Sequence, residues 1–325
     1  DPTCPVIFFL HGATGRNKFS GWVQDVLHAD RKRTFVGVYP QGEQDENGVT
    51  GWHYGHRDTA FDEGAFISAI VRRLRTLGST GRLYAWGFSN GAGLAYKLAV
   101  NGRMGFRGIA ATVTALTASP ETFGTGEIAF NYPTTGSSTR PVAVLSIMGS
   151  ADRTIPLRGG PFHNSKLVFA DALDSIGLWA KVNQCRGRTT SPIELTYRDS
   201  HEAVDVQTTA TRTMFEGCLL PTQYIEVPCA GHVGARTIDR QDSMRYALNF
   251  LLGVDAACDR RGLCETLPSY TPPTATLWPD YTTPADCEDT THSCACLPSF
   301  DVTAGTIGLP PPPSSPAMST RPPRP

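Results

Sequence analysis

Leu83-Tyr84-Ala85-Trp86-Gly87-Phe88-Ser89-Asn90-Gly91-Ala92-Gly93-Leu94-Ala95-Tyr96-Lys97-Leu98-Ala99-Val100 reads as a strand that turns abruptly into a helix. The apolar run Leu83 to Gly87 is strand-sized, and Leu94, Ala95, Leu98 and Ala99 then recur at helical spacing. Between the two lies Gly-x-Ser-x-Gly. A turn this tight forces its central residue into an unusual backbone conformation and leaves room only for hydrogen two positions either side. Ser89 would then stand above the carboxyl end of a strand, with the helix amino terminus behind it. The alternative is a glycine-rich turn with an idle serine.

Outward from this stretch the pattern repeats. Strands are expected at Val6 to Leu10, Phe35 to Tyr39, Leu83 to Gly87, Ile109 to Leu116, Val142 to Met148 and Tyr224 to Val227. Helices fall between them. Phe61 to Leu77 puts Phe66, Ile67, Ile70, Val71 and Leu74 on one face, with Asp62 as N-cap, and further helices are expected at Gly91 to Val100, Lys166 to Ala180 and Asp242 to Leu252. Continuous apolar strands alternating with amphipathic helices predict an α/β chain whose mostly parallel sheet is covered on both faces. Sites in such sheets lie beyond the carboxyl ends of strands.

A serine hydroxyl needs a base, and the base needs an acid to hold its tautomer. Asp152, in Gly149-Ser150-Ala151-Asp152, follows the strand Val142 to Met148, and His232, in Ala230-Gly231-His232, follows Tyr224 to Val227. Ser89, Asp152, His232 is the chain order of the α/β-hydrolase fold, which is the fold expected here. A turn cap for Asp152 and a surface-loop histidine for His232 are the alternatives. His163 and His201 have no strand directly before them, while His11, His53 and His56 precede the serine. For the oxyanion that acyl transfer develops, one backbone donor is expected from Asn90 and the other from Leu10-His11-Gly12-Ala13-Thr14-Gly15, with Ala13 first and Thr14 second. A plain strand-ending turn is the alternative for that segment.

Composition excludes several other classes of protein. Of 325 residues, 40% are hydrophobic; 29 basic residues balance 30 acidic ones, so there is no field for nucleic acid or an acidic surface. No apolar run is long enough to span a membrane. Nine cysteines without a Cys-x-x-Cys pair favour disulfides in an oxidising, extracellular setting over metal ligation, including by His292, Cys294 and Cys296. Cys4 and Cys229, each adjoining a strand of the same sheet, form one expected pair. Because Asp1 is followed so soon by a strand pattern, a leader or earlier strands are expected to have preceded it. Apolar periodicity stops near Val254, and 14 of the 25 prolines fall in the last 61 residues. Two parts are therefore expected: a catalytic domain over 1–254 and a Cys- and Pro-rich extension over 255–325, largely irregular.

The motifs together resemble a known family, the secreted α/β-hydrolases of the feruloyl esterase and polyhydroxybutyrate depolymerase type, in carbohydrate esterase family 1 and its relatives. The resemblance spans about Pro5 to Leu252. It is carried by Leu10-His11-Gly12, Gly51-Trp52-His53, Phe61 to Phe66, Gly87 to Ala92, Gly149 to Asp152, Trp179 to Cys185 and Gly231-His232. It implies a serine carboxylic-ester hydrolase that forms an acyl-serine intermediate without metal or organic cofactor, with Ser89, Asp152 and His232 as nucleophile, acid and base. It also implies a disulfide between Cys185 and Cys218. Trp52 and Tyr54 fall where relatives line the acyl pocket, although aromatic residues also fill cores. The chain departs from the family at Phe61-Asp62-Glu63-Gly64-Ala65-Phe66, where relatives carry Gly-Asp-Asp-Val-Gly-Phe, and at Val233-Gly234, where they often carry Trp-Pro. A feruloyl ester of plant cell wall is the expected substrate. Polyester depolymerisation is the alternative, and a catalytically silent wall- or polymer-binding protein is the reading from another class.

Overall fold

A computed structural model describes residues 3–17, 35–45, 47–53, 62–100, 104–117, 140–162, 167–199, 204–232, 236–238 and 240–261. All belong to the first of the chain's two units, Asp1–Thr276, and the second, Leu277–Pro325, lies outside them. Among the described residues six strands run parallel: β1 (Val6–Leu10), β2 (Val36–Val38), β5 (Leu83–Phe88), β6 (Phe106–Thr112), β7 (Ala143–Gly149) and β12 (Thr222–Val227). Short ladders are made by β3 (Glu43–Gln44) with β4 (Thr50–Gly51) and by β8 (Gly160–Pro161) with β9 (Val168–Phe169). A long hairpin of β10 (Gly187–Asp199) and β11 (Val204–Glu216), then β13 (Arg236–Ile238), adds an antiparallel end. The main sheet has the order β13-β10-β11-β12-β7-β6-β5-β1-β2.

The strand pattern generates two cores. Side chains alternate across the sheet, so Val6, Phe8 and Leu10 of β1 enter one cluster and Ile7 and Phe9 the other. The first is covered by α1 (Glu63–Thr76), α2 (Asn90–Val100) and α3 (Ala172–Val182), which contribute Ile67, Leu94, Leu98, Ile176 and Trp179. The second is covered by α4 (Arg240–Arg261), through Met244, Leu248, Leu251 and Val254. Asp62 caps α1 as expected, its carboxylate accepting from the Ala65 amide at 2.9 Å. Helices on both faces of a mostly parallel sheet, with a strand-to-helix elbow after β5, make this the α/β-hydrolase fold. Among the described residues no helix is long and apolar enough to cross a membrane.

Several expectations need correction. β6 stops at Thr112 because Val113 takes a left-handed backbone, φ 52°, which ends the strand before the buried residues Ala115 and Leu116. The helix expected from Lys166 starts at Ala172, where Asp171 caps it by accepting from the Leu173 and Asp174 amides at 2.7 and 3.1 Å. The β10–β11 hairpin has no counterpart among the strands expected from the sequence. It tolerates Pro192 because β10 pairs with β13 only through Tyr197 to Asp199, leaving an edge at the proline. Cys185 and Cys218 are joined, as the resemblance implied, closing a separation of 33 residues. Such a loop contributes about 3 to 4 kcal/mol in the chain-entropy account. No bond joins Cys4 to Cys229. Cys4 precedes β1 and Cys229 follows β12, so they lie at opposite ends of parallel strands with β5, β6 and β7 between.

The domain boundary expected at Val254 falls inside α4. Asp255 accepts from Tyr84 Oη at 2.8 Å and lies 3.4 Å from Arg82 Nη1, while Val254 and Cys258 are buried in the second core. Cys258 is also disulfide-bonded. A chain ending at Arg261 is expected to be more stable in urea than one ending at Val254 by about 2 kcal/mol, from one buried small side chain and one charged hydrogen bond. Its hydrolysis of a small soluble ester should match that of the full chain within about threefold, because the proposed catalytic groups precede the cut. Equal unfolding midpoints for the two chains would refute this account of α4.

Candidate active site

β5 ends at Phe88 and α2 begins at Asn90, so Ser89 is the whole of the turn. Its φ is 53°, a left-handed backbone that non-glycine residues rarely hold. Both motif glycines are demanded by close approach: a Cβ on Gly87 would lie 2.4 Å from Gly91 O, and one on Gly91 would lie 2.2 Å from Leu10 O. The Ser89 carbonyl accepts from the Ala92 and Gly93 amides, at 2.9 and 3.1 Å, and so opens the helix.

Asp152 lies in the turn after β7. Its Oδ1 accepts from the Thr154 and Ile155 amides, both at 2.9 Å, and its Oδ2 accepts from His232 Nδ1 at 2.8 Å. Three donors on a carboxylate that is nearly out of contact with water hold it in one orientation. His232, also buried, follows β12 and places Nε2 2.7 Å from Ser89 Oγ. A carboxylate can only accept, so Nδ1 donates to it; in the neutral imidazole Nε2 is then bare and is the acceptor for the serine hydroxyl. The two turns are locked together, since the Ser150 amide donates to Val227 O, the Ala151 amide to Ala230 O, and a Cβ on Gly149 would lie 2.2 Å from Ala230 O.

The two proposed oxyanion donors flank the serine. Asn90 N–H is at the amino terminus of α2, where helix geometry supplies no acceptor. The loop after β1 is pressed onto the elbow, with a Cβ on Gly12 only 3.4 Å from Ser89 Cβ. Thr14 drops out as a donor because its amide already donates to Thr50 O at 2.7 Å. Among the described residues no acceptor meets Ala13 N–H.

Trp52 is not an exposed pocket wall. It is 4% exposed, packs in the first core, and donates from Nε1 to His11 O at 2.8 Å. Tyr54 lies outside the described residues, as do His56, His163, His201 and the His292, Cys294, Cys296 set. His11 and His53, competitors of His232 on residue type, are otherwise occupied: His11 is buried between backbone groups, and His53 Nδ1 lies 3.2 Å from Glu63 Oε1. The sequence reading also missed the part played by the Asn90 carboxamide, which faces Trp52, and by the Thr154 and Ile155 amides. Asp152-Arg153-Thr154 has the form of an Asx turn, a signal that marked the latter.

No protein-family model matches the chain, and no curated protein matches it. Among solved structures it is similar to an acetyl xylan esterase from Aspergillus awamori at 14% identity, covering 77% of this chain and 90% of that one with a TM-score of 0.47. It is similar also to acyl-protein thioesterase 2 of Zea mays, at 15% identity over 77% and 95% of the two chains, TM-score 0.42. A carboxylesterase of Bacillus cereus is 17% identical over 57% and 76%, TM-score 0.35.

Proposed function

We propose that this protein is a serine carboxylic-ester hydrolase working through an acyl-serine intermediate, with Ser89 as nucleophile, His232 as general base and Asp152 as the acid that orients it. The observation that carries the reading is the relay Ser89 Oγ–His232 Nε2–Asp152, at 2.7 and 2.8 Å, set on a strand-to-helix elbow. Ser89 Oγ adds to the ester carbonyl as its proton passes to His232 Nε2. The imidazolium so formed is stabilised by Asp152, and the carbonyl oxygen, now an anion, is met by the Asn90 and Ala13 amides. Collapse expels the alcohol, which takes the proton back from Nε2 and leaves the acyl group on Ser89. Water then repeats the sequence and releases the acid. Each step uses groups of this chain.

The substrate proposed first is a feruloyl ester of plant cell wall, on the motif resemblance; with Trp52 buried, no aromatic face of that residue contributes to the choice. A polyester such as polyhydroxybutyrate is second. An extracellular setting is supported by the Cys185–Cys218 disulfide. The test is a panel of p-nitrophenyl acetate, methyl ferulate and a 3-hydroxybutyrate oligomer, run beside labelling with a fluorophosphonate. We expect hydrolysis of at least the activated ester and label on Ser89. Faster turnover of the oligomer than of methyl ferulate would reverse the order of substrates. No turnover and no label would leave the silent binding protein as the better reading.

A further inference from the structure

Ala13 lies on an exposed loop, yet an oxyanion donor a few tenths of an ångström out of place loses much of its effect. What fixes it is the short segment Thr50 to His53, several of whose polar groups bond to the site's neighbours. The Thr14 amide donates to Thr50 O and Thr50 Oγ1 donates to Gly15 O, each at 2.7 Å. Trp52 N–H donates to Asn90 Oδ1 at 2.7 Å, Asn90 Nδ2 donates back to Trp52 O at 3.0 Å, and Trp52 Nε1 donates to His11 O at 2.8 Å. His53 N–H donates to the buried carboxylate of Glu63. Ala13 is thus bracketed, through His11 O on one side and Thr14 N–H on the other, by a segment whose other bonds grip the side chain of Asn90. The amide of Asn90 is the second oxyanion donor.

His11 completes the clamp. Its Nδ1 lies 2.8 Å from Gly12 O, which can only accept, and its Nε2 lies 2.9 Å from the Gly42 amide, which can only donate. The ring must therefore be neutral with the proton on Nδ1. Burial favours that state by pushing the imidazole below its usual range, against the opposite pull of the Gly12 carbonyl. Trp52 lies against the ring, centroids 4.9 Å apart.

We propose that Trp52, His11 and the Asn90 carboxamide are positioning residues that couple the two halves of the oxyanion hole, setting the Ala13 amide relative to the Asn90 amide; the proposal rests on the serine-esterase reading above. Asn90 has two jobs, its backbone meeting the oxyanion and its side chain anchoring the segment that carries the other donor's loop. The hole is built as one rigid piece rather than as two loops that happen to meet.

The test uses Trp52→Phe, which removes the indole donor and keeps aromatic bulk, and Asn90→Ala, which removes both side-chain bonds and keeps the amide. Each is expected to lower kcat on p-nitrophenyl acetate about 10- to 100-fold, with KM within about threefold. The affinity of a boronic acid transition-state analogue should fall in parallel with kcat/KM. Because both substitutions cut one chain of contacts, the double variant should be no more than about threefold worse than the poorer single one. Asn90→Ala, at a partly exposed site, keeps the test open if Trp52→Phe does not fold. Turnover and analogue affinity within about twofold of wild type, a loss confined to KM, or losses that multiply in the double variant would overturn the proposal. A wild-type protein that hydrolyses no ester and takes no fluorophosphonate on Ser89 would overturn the esterase reading; an active wild type with indifferent variants overturns this inference alone.

Discussion

Ser89→Ala is expected to leave a folded protein whose ester turnover is lower by at least about 10³-fold, the usual result of removing the nucleophile of such a relay. The substitution deletes one oxygen whose partner, His232 Nε2, is 2.7 Å away. His232→Ala and Asp152→Asn should be comparably poor, and the triple variant little worse than Ser89→Ala, since the three groups act as a unit. Steady-state kinetics with circular dichroism as the folding control reads this directly. Near-normal turnover by Ser89→Ala would end the assignment. The elbow adds a second reading. Because Ser89 holds φ at 53°, Ser89→Gly should be as inactive as Ser89→Ala but more stable than it by about 1 kcal/mol in urea unfolding.

Gly91→Ala is expected to cost about 3 kcal/mol or more of folding stability and to remove most of the remaining protein's activity. The added methyl would lie 2.2 Å from Leu10 O and 2.4 Å from His11 O, and both obstacles are backbone. No side chain can swing aside, so either α2 withdraws from the sheet or the loop after β1 moves, and each shift separates Ser89 from a proposed oxyanion donor. Gly253→Ala is the control. It is exposed in α4 with nothing within 4 Å of the new methyl, so alanine should stabilise by about 0.5 to 1 kcal/mol through helix propensity and chain entropy. Opposite signs at two helical glycines test the geometry of the elbow without reference to any substrate. A Gly91→Ala protein with wild-type unfolding would show that β1 and α2 do not approach closely enough to exclude a methyl group.

The parallel half of the sheet and the order of the three proposed catalytic groups were readable from residue order because both are nearly one-dimensional facts. A strand buried on both faces must be almost wholly apolar, as Val6 to Leu10 is and as Ala143 to Gly149 is apart from Ser146, and a turn that admits only hydrogen beside a helix announces itself in Gly87 and Gly91. Asp152 and His232 could be chosen because each directly follows such a strand. The hairpin β10–β11 gave no such signal. Its few buried residues, Leu195, Ala210, Thr213 and Phe215, are scattered among exposed ones such as Thr189, Thr190, Pro192, Thr209 and Thr211, so no continuous apolar run marks it; the pairing with β12 is what makes it part of the sheet. The extent of α4 was equally hidden, since its last turns are held by Asp255 reaching Tyr84, 171 residues earlier in the chain. Trp52 shows the limit most plainly. An aromatic residue in that segment serves a pocket or a core equally well, and the choice was made by His11 O and the Asn90 carboxamide, which meet it across 41 and 38 residues of chain. Residue types along the chain set which groups are able to react. Which of them touch, and which amides are left free for a substrate oxygen, follows from packing between segments far apart in sequence.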